Sequence, residues 1–182
     1  MEALDFVHKM ASHNHIALLY SHRDSLMKIL SEYFIPNDAP KALLSENPDN
    51  YTHLNVTSSI SYKDLFGPIT GPLREDAVFK LQNWISSMST GSKRSNICAR
   101  IAEDDATWWI RNGCTRALSS IELSLCRELP QSTSILCAFD ISKLTPKQLS
   151  AMRAIIGSHD YVIIDEPSFS VYRFGKPTFR IV

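Results

Sequence analysis

The run His15-Ile16-Ala17-Leu18-Leu19-Tyr20 constrains the fold of this chain more than any other stretch. It is apolar without alternation, so a strand built from it must be covered on both faces. Leu26, Ile29, Leu30 and Phe34 then recur at helical spacing, which predicts an amphipathic helix over 23–34, capped by Ser21 or Asp24 and ended by Pro36 and Pro40. A buried strand followed at once by an amphipathic helix is the repeating unit of an α/β fold.

The same alternation returns along the chain. Asn96 to Ile101, Ser134 to Phe139 and Tyr161 to Ile164 read as further strands, and Lys41 to Ser45 and Thr52 to Thr57 as short ones. Glu103-Asp104-Asp105 is expected to break the strand before it, with Asp105 capping a helix from Ala106 that Gly113 interrupts. Helical stripes run from Leu73 to Ser87 and from Leu118 to Leu129. Thr145-Pro146-Lys147-Gln148 is a capping box with proline at the first helical position, and Gly157 is the stop. The tail, 170–174 and 178–181 around Gly175-Lys176-Pro177, predicts a C-terminal antiparallel β-hairpin. The expected fold is one α/β domain over 1–182: a mainly parallel sheet flanked by helices across 13–167, then the hairpin at 168–182.

Composition narrows the function classes. The 182 residues carry a formal net charge of zero, 44% hydrophobic and 21% charged residues, which makes no electrostatic case for nucleic acid or an anionic membrane surface. No window approaches about 18 consecutive apolar residues, and Met1 to Met10 lacks the apolar core of a signal peptide. Cys98, Cys114, Cys126 and Cys137 form no C-x-x-C pair and read as free thiols in a cytoplasmic protein.

Tyr161-Val162-Ile163-Ile164-Asp165-Glu166-Pro167 resembles the strand that delivers an Asp to Mg²⁺ and a Glu to water in P-loop NTPases. That chemistry needs a Gly-rich loop with Lys and Ser/Thr after the first strand. The residues there are Ser21-His22-Arg23-Asp24-Ser25, without glycine or lysine. Thr90-Gly91-Ser92-Lys93-Arg94-Ser95 precedes a strand and opens no helix, so it reads as a solvated turn. His13 and His15 would share a strand face, with His22 nearby, but no third metal ligand is identifiable in sequence and a structural role is expected. Cys137, Asp140 and His159 have the residue types of a nucleophile, orienter and base. Trp108 and Trp109 point about 100° apart on a helix, which allows one to pack inward and the other to face a cleft, with core packing the main expectation for the pair. None of these patterns calls for a cofactor.

Several dispersed segments together resemble the MEDS family, the sensory domain of methanogens and methylotrophs named for dichloromethane-linked regulators, itself similar to the RecA/KaiC-like ATPase core. The segments are His15–Tyr20, Leu26–Phe34, Ile97–Trp109, Glu122, Ser134–Asp140 and His159. The likeness spans roughly 13–167 and is strongest over 117–165. The chain departs from the family in the glycine-free stretch 36–41 and in the Asp165-Glu166 pair. The resemblance implies a RecA/KaiC-like fold and a non-enzymatic sensory or regulatory domain that binds a small molecule or a signalling protein. Tyr20, Trp108, Asp140 and Asp165 are the expected ligand-binding residues, at the carboxyl edge of the sheet where open α/β folds take ligands. Val171, Phe174, Phe179 and Ile181 are a candidate surface for homo-oligomers. The alternatives are a Mg²⁺-dependent nucleotide-binding enzyme using Asp165 and Glu166, and a structural adaptor. Calorimetry tests the first alternative: an NTPase binds ATP or GTP with Mg²⁺ and loses it in Asp165→Asn, and no nucleotide binding at millimolar concentration removes it, whereas a sensory domain shows a thermal shift with a small molecule and no turnover.

Overall fold

Strand β1 (His15–Tyr20) lies between β5 (Thr133–Asp140) and β6 (Tyr161–Ile164), parallel to both. These relations come from a computed structural model that describes residues 3–9, 14–35, 39–67, 75–90, 99–128, 133–165 and 169–173. The sheet has seven strands in the order β3-β2-β4-β5-β1-β6-β7, with β2 at Lys41–Ser45, β3 at Ser58–Ser61, β4 at Ala99–Glu103 and β7 at Ser170–Arg173. All neighbours are parallel except β6 and β7. The expected α/β architecture is therefore observed.

Helices cover both faces. One face carries Ala17, Ile101, Ile135, Cys137, Phe139 and Val162 beneath α3 (Tyr62–Phe66), α4 (Glu75–Thr90), α5 (Thr107–Arg111), α6 (Thr115–Glu128) and α7 (Pro146–Ile156). The other carries Ile16, Leu18, Leu43, Leu136, Ala138 and Ile163 beneath α1 (Ala3–Lys9) and α2 (Arg23–Tyr33). Alternate residues of each strand thus enter different cores, and that is why the strands read as continuous apolar runs. Among the described residues no helix is long and apolar enough to cross a membrane.

Several local expectations hold. The α7 capping box forms, with the Thr145 amide donating to Gln148 Oε1 at 2.9 Å. Gly113 separates α5 from α6 at φ +74°, a left-handed conformation that glycine adopts without strain. Others are corrected. Residues 52–57 form no strand; a 3₁₀ turn occupies Pro48–Tyr51 and the edge strand comes later, at Ser58–Ser61. Glu103 does not break β4, because its carboxyl is buried against Tyr62 and Trp109, which supply the donors it needs. Neither Ser21 nor Asp24 caps α2, whose N-cap is His22 without a side-chain bond. The antiparallel partner of β7 is β6; the second arm of the expected hairpin, 178–181, lies outside the described residues.

Arg100 ties the second helical layer to the sheet. Its guanidinium donates to the carbonyls of Val7 (2.9 Å), His8 (3.2 Å) and Tyr33 (2.8 Å) and lies over the Tyr33 ring. These carbonyls end α1 and α2, where helices leave acceptors unsatisfied and favour a positive charge. Arg100→Ala is expected to cost about 3 kcal/mol and to lower Tm by roughly 6–12 °C in calorimetry, with faster amide exchange in α1.

Candidate functional site

The carboxyl edge brings three of the four expected residues together. Tyr20 ends β1 in register with Asp140 at the end of β5, and Asp165 follows β6 with its amide on the Leu19 carbonyl. The chain crosses from β1 to α2 on one face and from β5 to α7 on the other, so these residues stand at the point where open α/β sheets part to admit ligands.

Here, however, most of the polar groups satisfy one another, with Asp104 Oδ1 the buried exception. Tyr20 is buried and donates to the Asp104 carbonyl at 3.1 Å. Asp140 accepts from Ser142 and pairs with Lys143 at 3.1 Å. Lys143 also meets Asp105 at 2.9 Å, and Arg111 meets Asp105 at 3.0 Å. Trp108 lies apart, on α5, stacked on Tyr62 at 4.2 Å; both it and Trp109 are buried, so neither faces a cleft. Asp165 accepts from the Ser21 amide at 3.3 Å and from the Ser25 hydroxyl at 2.6 Å. Its carboxylate therefore sits at the start of α2, where a phosphate loop would hold its anion. Glu166 and His13 lie outside the described residues. A cleft of about 450 Å³ between α1, α2 and the 3₁₀ turn is lined by residues such as Met27, Asn50 and His53 and by none of these four.

A second constellation lies under the opposite end of β1. Strand alternation sends His15 to the same face as Ala17 and Cys137. α6 brings Glu122 over them, and the turn between α7 and β6 brings His159. The four donor atoms lie within 4.8 Å of one another, and all four residues are buried. The imidazole rings stack at 3.9 Å. Glu122 Oε2 stands 2.9 Å from His15 Nε2 and 3.3 Å from His159 Nε2. Neither Glu122 Oε2 nor His159 Nε2 has a hydrogen-bond partner, so these approaches lack the in-line geometry of one. Cys137 Sγ is 3.5 Å from His15 Nε2. His159 Nδ1 lies 3.1 Å from the Ile155 carbonyl, which assigns the proton to that nitrogen and leaves Nε2 a lone pair.

The environment suppresses charge at every member. Burial drives His15 down to about 4, against Asp160 and the Ser158 backbone. Burial and then His15 drive His159 down to about 3, against Glu122. Burial pushes the Glu122 carboxyl up, opposed by His159 and Cys137. Burial, with Glu122 and Glu103, pushes the Cys137 thiol far above its ordinary value. The His–Glu contacts are therefore between uncharged rings and a carboxyl, and no ion pair is formed.

A second layer surrounds the cluster. Glu103 pairs in register with Cys137 and accepts from the Tyr62 hydroxyl and the Trp109 indole, each at 2.7 Å. Sequence reasoning weighed Cys137 with His159 and with Asp140; the structure unites the first two and sends Asp140 to the carboxyl edge. It weighed His15 with His13 and His22; the structure pairs His15 with His159 instead, and His22 lies exposed at the start of α2. Glu122 and Glu103 were missed as companions because nothing local marks a carboxyl on a helix or strand as inward-facing.

Glu103 makes stability pH-dependent. Burial raises its carboxyl from 4.5 to about 8, so the folded state holds a proton that the unfolded chain releases. That contribution is complete below about 4.5 and is lost as pH rises to about 8. His15 and His159 act with the opposite sign, losing stability as pH falls below their ordinary value of 6.5. Thermal unfolding from pH 6 to 8 is expected to fall more steeply in the wild type than in Glu103→Gln, on the order of 1.4 kcal/mol per pH unit. Compared with known proteins, the chain matches no protein-family model and no curated protein, so the functional reading rests on the residues and their geometry.

Proposed function

We propose that this chain is a non-enzymatic sensory or regulatory domain, on a RecA/KaiC-like sheet, whose ligand is held by the buried cluster His15, Glu122, Cys137 and His159. The observation that carries this reading is the convergence of four donors of three chemical kinds from β1, α6, β5 and the α7–β6 turn, with Glu122 Oε2 and His159 Nε2, which approach each other, and His15 Nδ1 left without hydrogen bonds. Buried polar groups are ordinarily hydrogen-bonded, so an orphaned pair aimed at a common point favours a bound guest. The enclosure suits binding without turnover, since a substrate would need a path in and a place to react. The likeness to MEDS supports the same reading, because His15, Glu122, Cys137 and His159 are all among the positions that carry it. A central β1 between β5 and β6 in a parallel sheet supports the RecA/KaiC-like part.

The carboxyl edge favours a regulatory over a nucleotide-hydrolysing role. The Asp165 carboxylate takes the Ser21 amide and Ser25 hydroxyl that a phosphate would need. The domain then signals through a change in how α6 and α7 sit on the sheet, passed to a separate protein or a second copy of the chain.

Scanning fluorimetry of the purified protein against metal salts and small molecules tests this. A ligand at 100 times its Kd adds about 2.7 kcal/mol, which raises Tm by roughly 5–10 °C. The shift is expected in the wild type and lost in His159→Gln, with no steady-state turnover of ATP or GTP. Turnover, or a ligand whose shift survives in every cluster variant, overturns the reading.

A further inference from the structure

We propose that the His15–Glu122–Cys137–His159 cluster is a closed tetrahedral centre for a divalent ion of zinc type. This deepens, and rests on, the reading of that cluster as the binding site. The donor set is two imidazole nitrogens, a thiol sulfur and a carboxyl oxygen. Hard ions such as Mg²⁺ and Ca²⁺ take oxygen ligands, whereas nitrogen and sulfur together select zinc and its neighbours.

The spacing agrees with the donor types. Zinc bonds of ordinary length at tetrahedral angles put neighbouring ligand atoms roughly 3.3–3.6 Å apart. The cluster has His159 Nε2 to Glu122 Oε2 at 3.3 Å, His15 Nε2 to Cys137 Sγ at 3.5 Å, and His15 Nε2 to Glu122 Oε2 at 2.9 Å. Two of these three separations fall in that range; the third, at 2.9 Å, is shorter, so binding would move His15 Nε2 and Glu122 Oε2 slightly apart.

The orphaned atoms supply an independent argument. His159 Nε2 and Glu122 Oε2 belong to residues only 3% and 1% exposed, and both lack a hydrogen bond. Two polar atoms 3.3 Å apart in a dry interior, neither of them hydrogen-bonded, are placed to share a cation. The Ile155 carbonyl on His159 Nδ1 is the outer-shell contact that orients a ligating imidazole. Charge balances as well. When the ion binds, the carboxyl and the thiol release their protons to solvent, and two anionic ligands with two neutral rings leave the filled centre without net charge. All four positions come from protein and none is solvent-facing, which is the arrangement of a structural or regulatory ion rather than a catalytic one.

Four elements meet at the ion, so its presence holds α6 and the end of α7 against β1 and β5. The inference is that occupancy sets how firmly α6 docks.

The test uses the full chain stripped with a chelator, its fold checked by circular dichroism, then titrated with Co²⁺ as an optical probe and with Zn²⁺ by calorimetry. The expected result is one ion per chain, tetrahedral Co²⁺ visible bands with a thiolate charge-transfer band, and no comparable binding of Mg²⁺ or Ca²⁺. Cys137→Ser keeps the shape and is expected to lose the charge-transfer band. Glu122→Gln and His159→Gln are expected to weaken Zn²⁺ binding by about 100-fold or more, while His53→Gln, on an exposed histidine, leaves it unchanged. A folded stripped protein that takes up no Zn²⁺, an octahedral Co²⁺ spectrum, or unchanged affinity in both Glu122→Gln and His159→Gln overturns the metal centre. If another molecule then still raises Tm through His159, the sensory reading stands without the metal; if nothing acts through the cluster, both fall.

Discussion

The structure depends on burying β1 from both sides. A strand between two parallel neighbours and two helical layers has no solvent face, so every side chain it carries must be apolar or fully accommodated. Five of its six residues meet that condition with carbon, small size or, at Tyr20, a bonded hydroxyl. His15 is the exception, and the molecule assembles Glu122, Cys137 and His159 around it. The same strand that forms the middle of the core thus creates the most polar point within it.

That arrangement is costly to a fold optimised for stability alone. Histidines held near 3 to 4 and raised acidic groups each store a penalty against ionisation. Aliphatic residues in the same four places would pack without it. The carboxyl edge behaves differently. Asp105, Asp140 and Asp165 there are met by Lys143, Arg111, Ser25 and backbone amides, which makes them parts of the scaffold around the switch point. Convergence of imidazole, thiol and carboxyl donors on one point, rather than the number of acids, distinguishes the two regions.

The two regions are also joined. Glu103 ends β4 and Asp104 follows it, and the two face opposite ways: Glu103 toward Tyr62, Trp109 and the cluster, Asp104 toward Ser45 and the edge. Aromatic stacking of Tyr62 on Trp108 extends the first of these contacts to the α3 side of the sheet.

Patterns with a short period were legible in the chain. β1, β5 and α7 appear at nearly their expected places, because a continuous apolar run, a helical stripe and a capping box are written in neighbouring residues. Thr52–Thr57 was misread because alternation without burial does not make a strand, and Glu103 because a charged residue at a strand end looks like a terminus until Tyr62 and Trp109 are placed beside it. Alternation of strands and helices, and the covering of β1 on both faces, follow from local patterns in the chain. The meeting of His15, Glu122, Cys137 and His159 at one point does not, because it depends on the order of strands in the sheet and on which turn of α6 crosses β1, and neither is encoded in the spacing of residues along the chain.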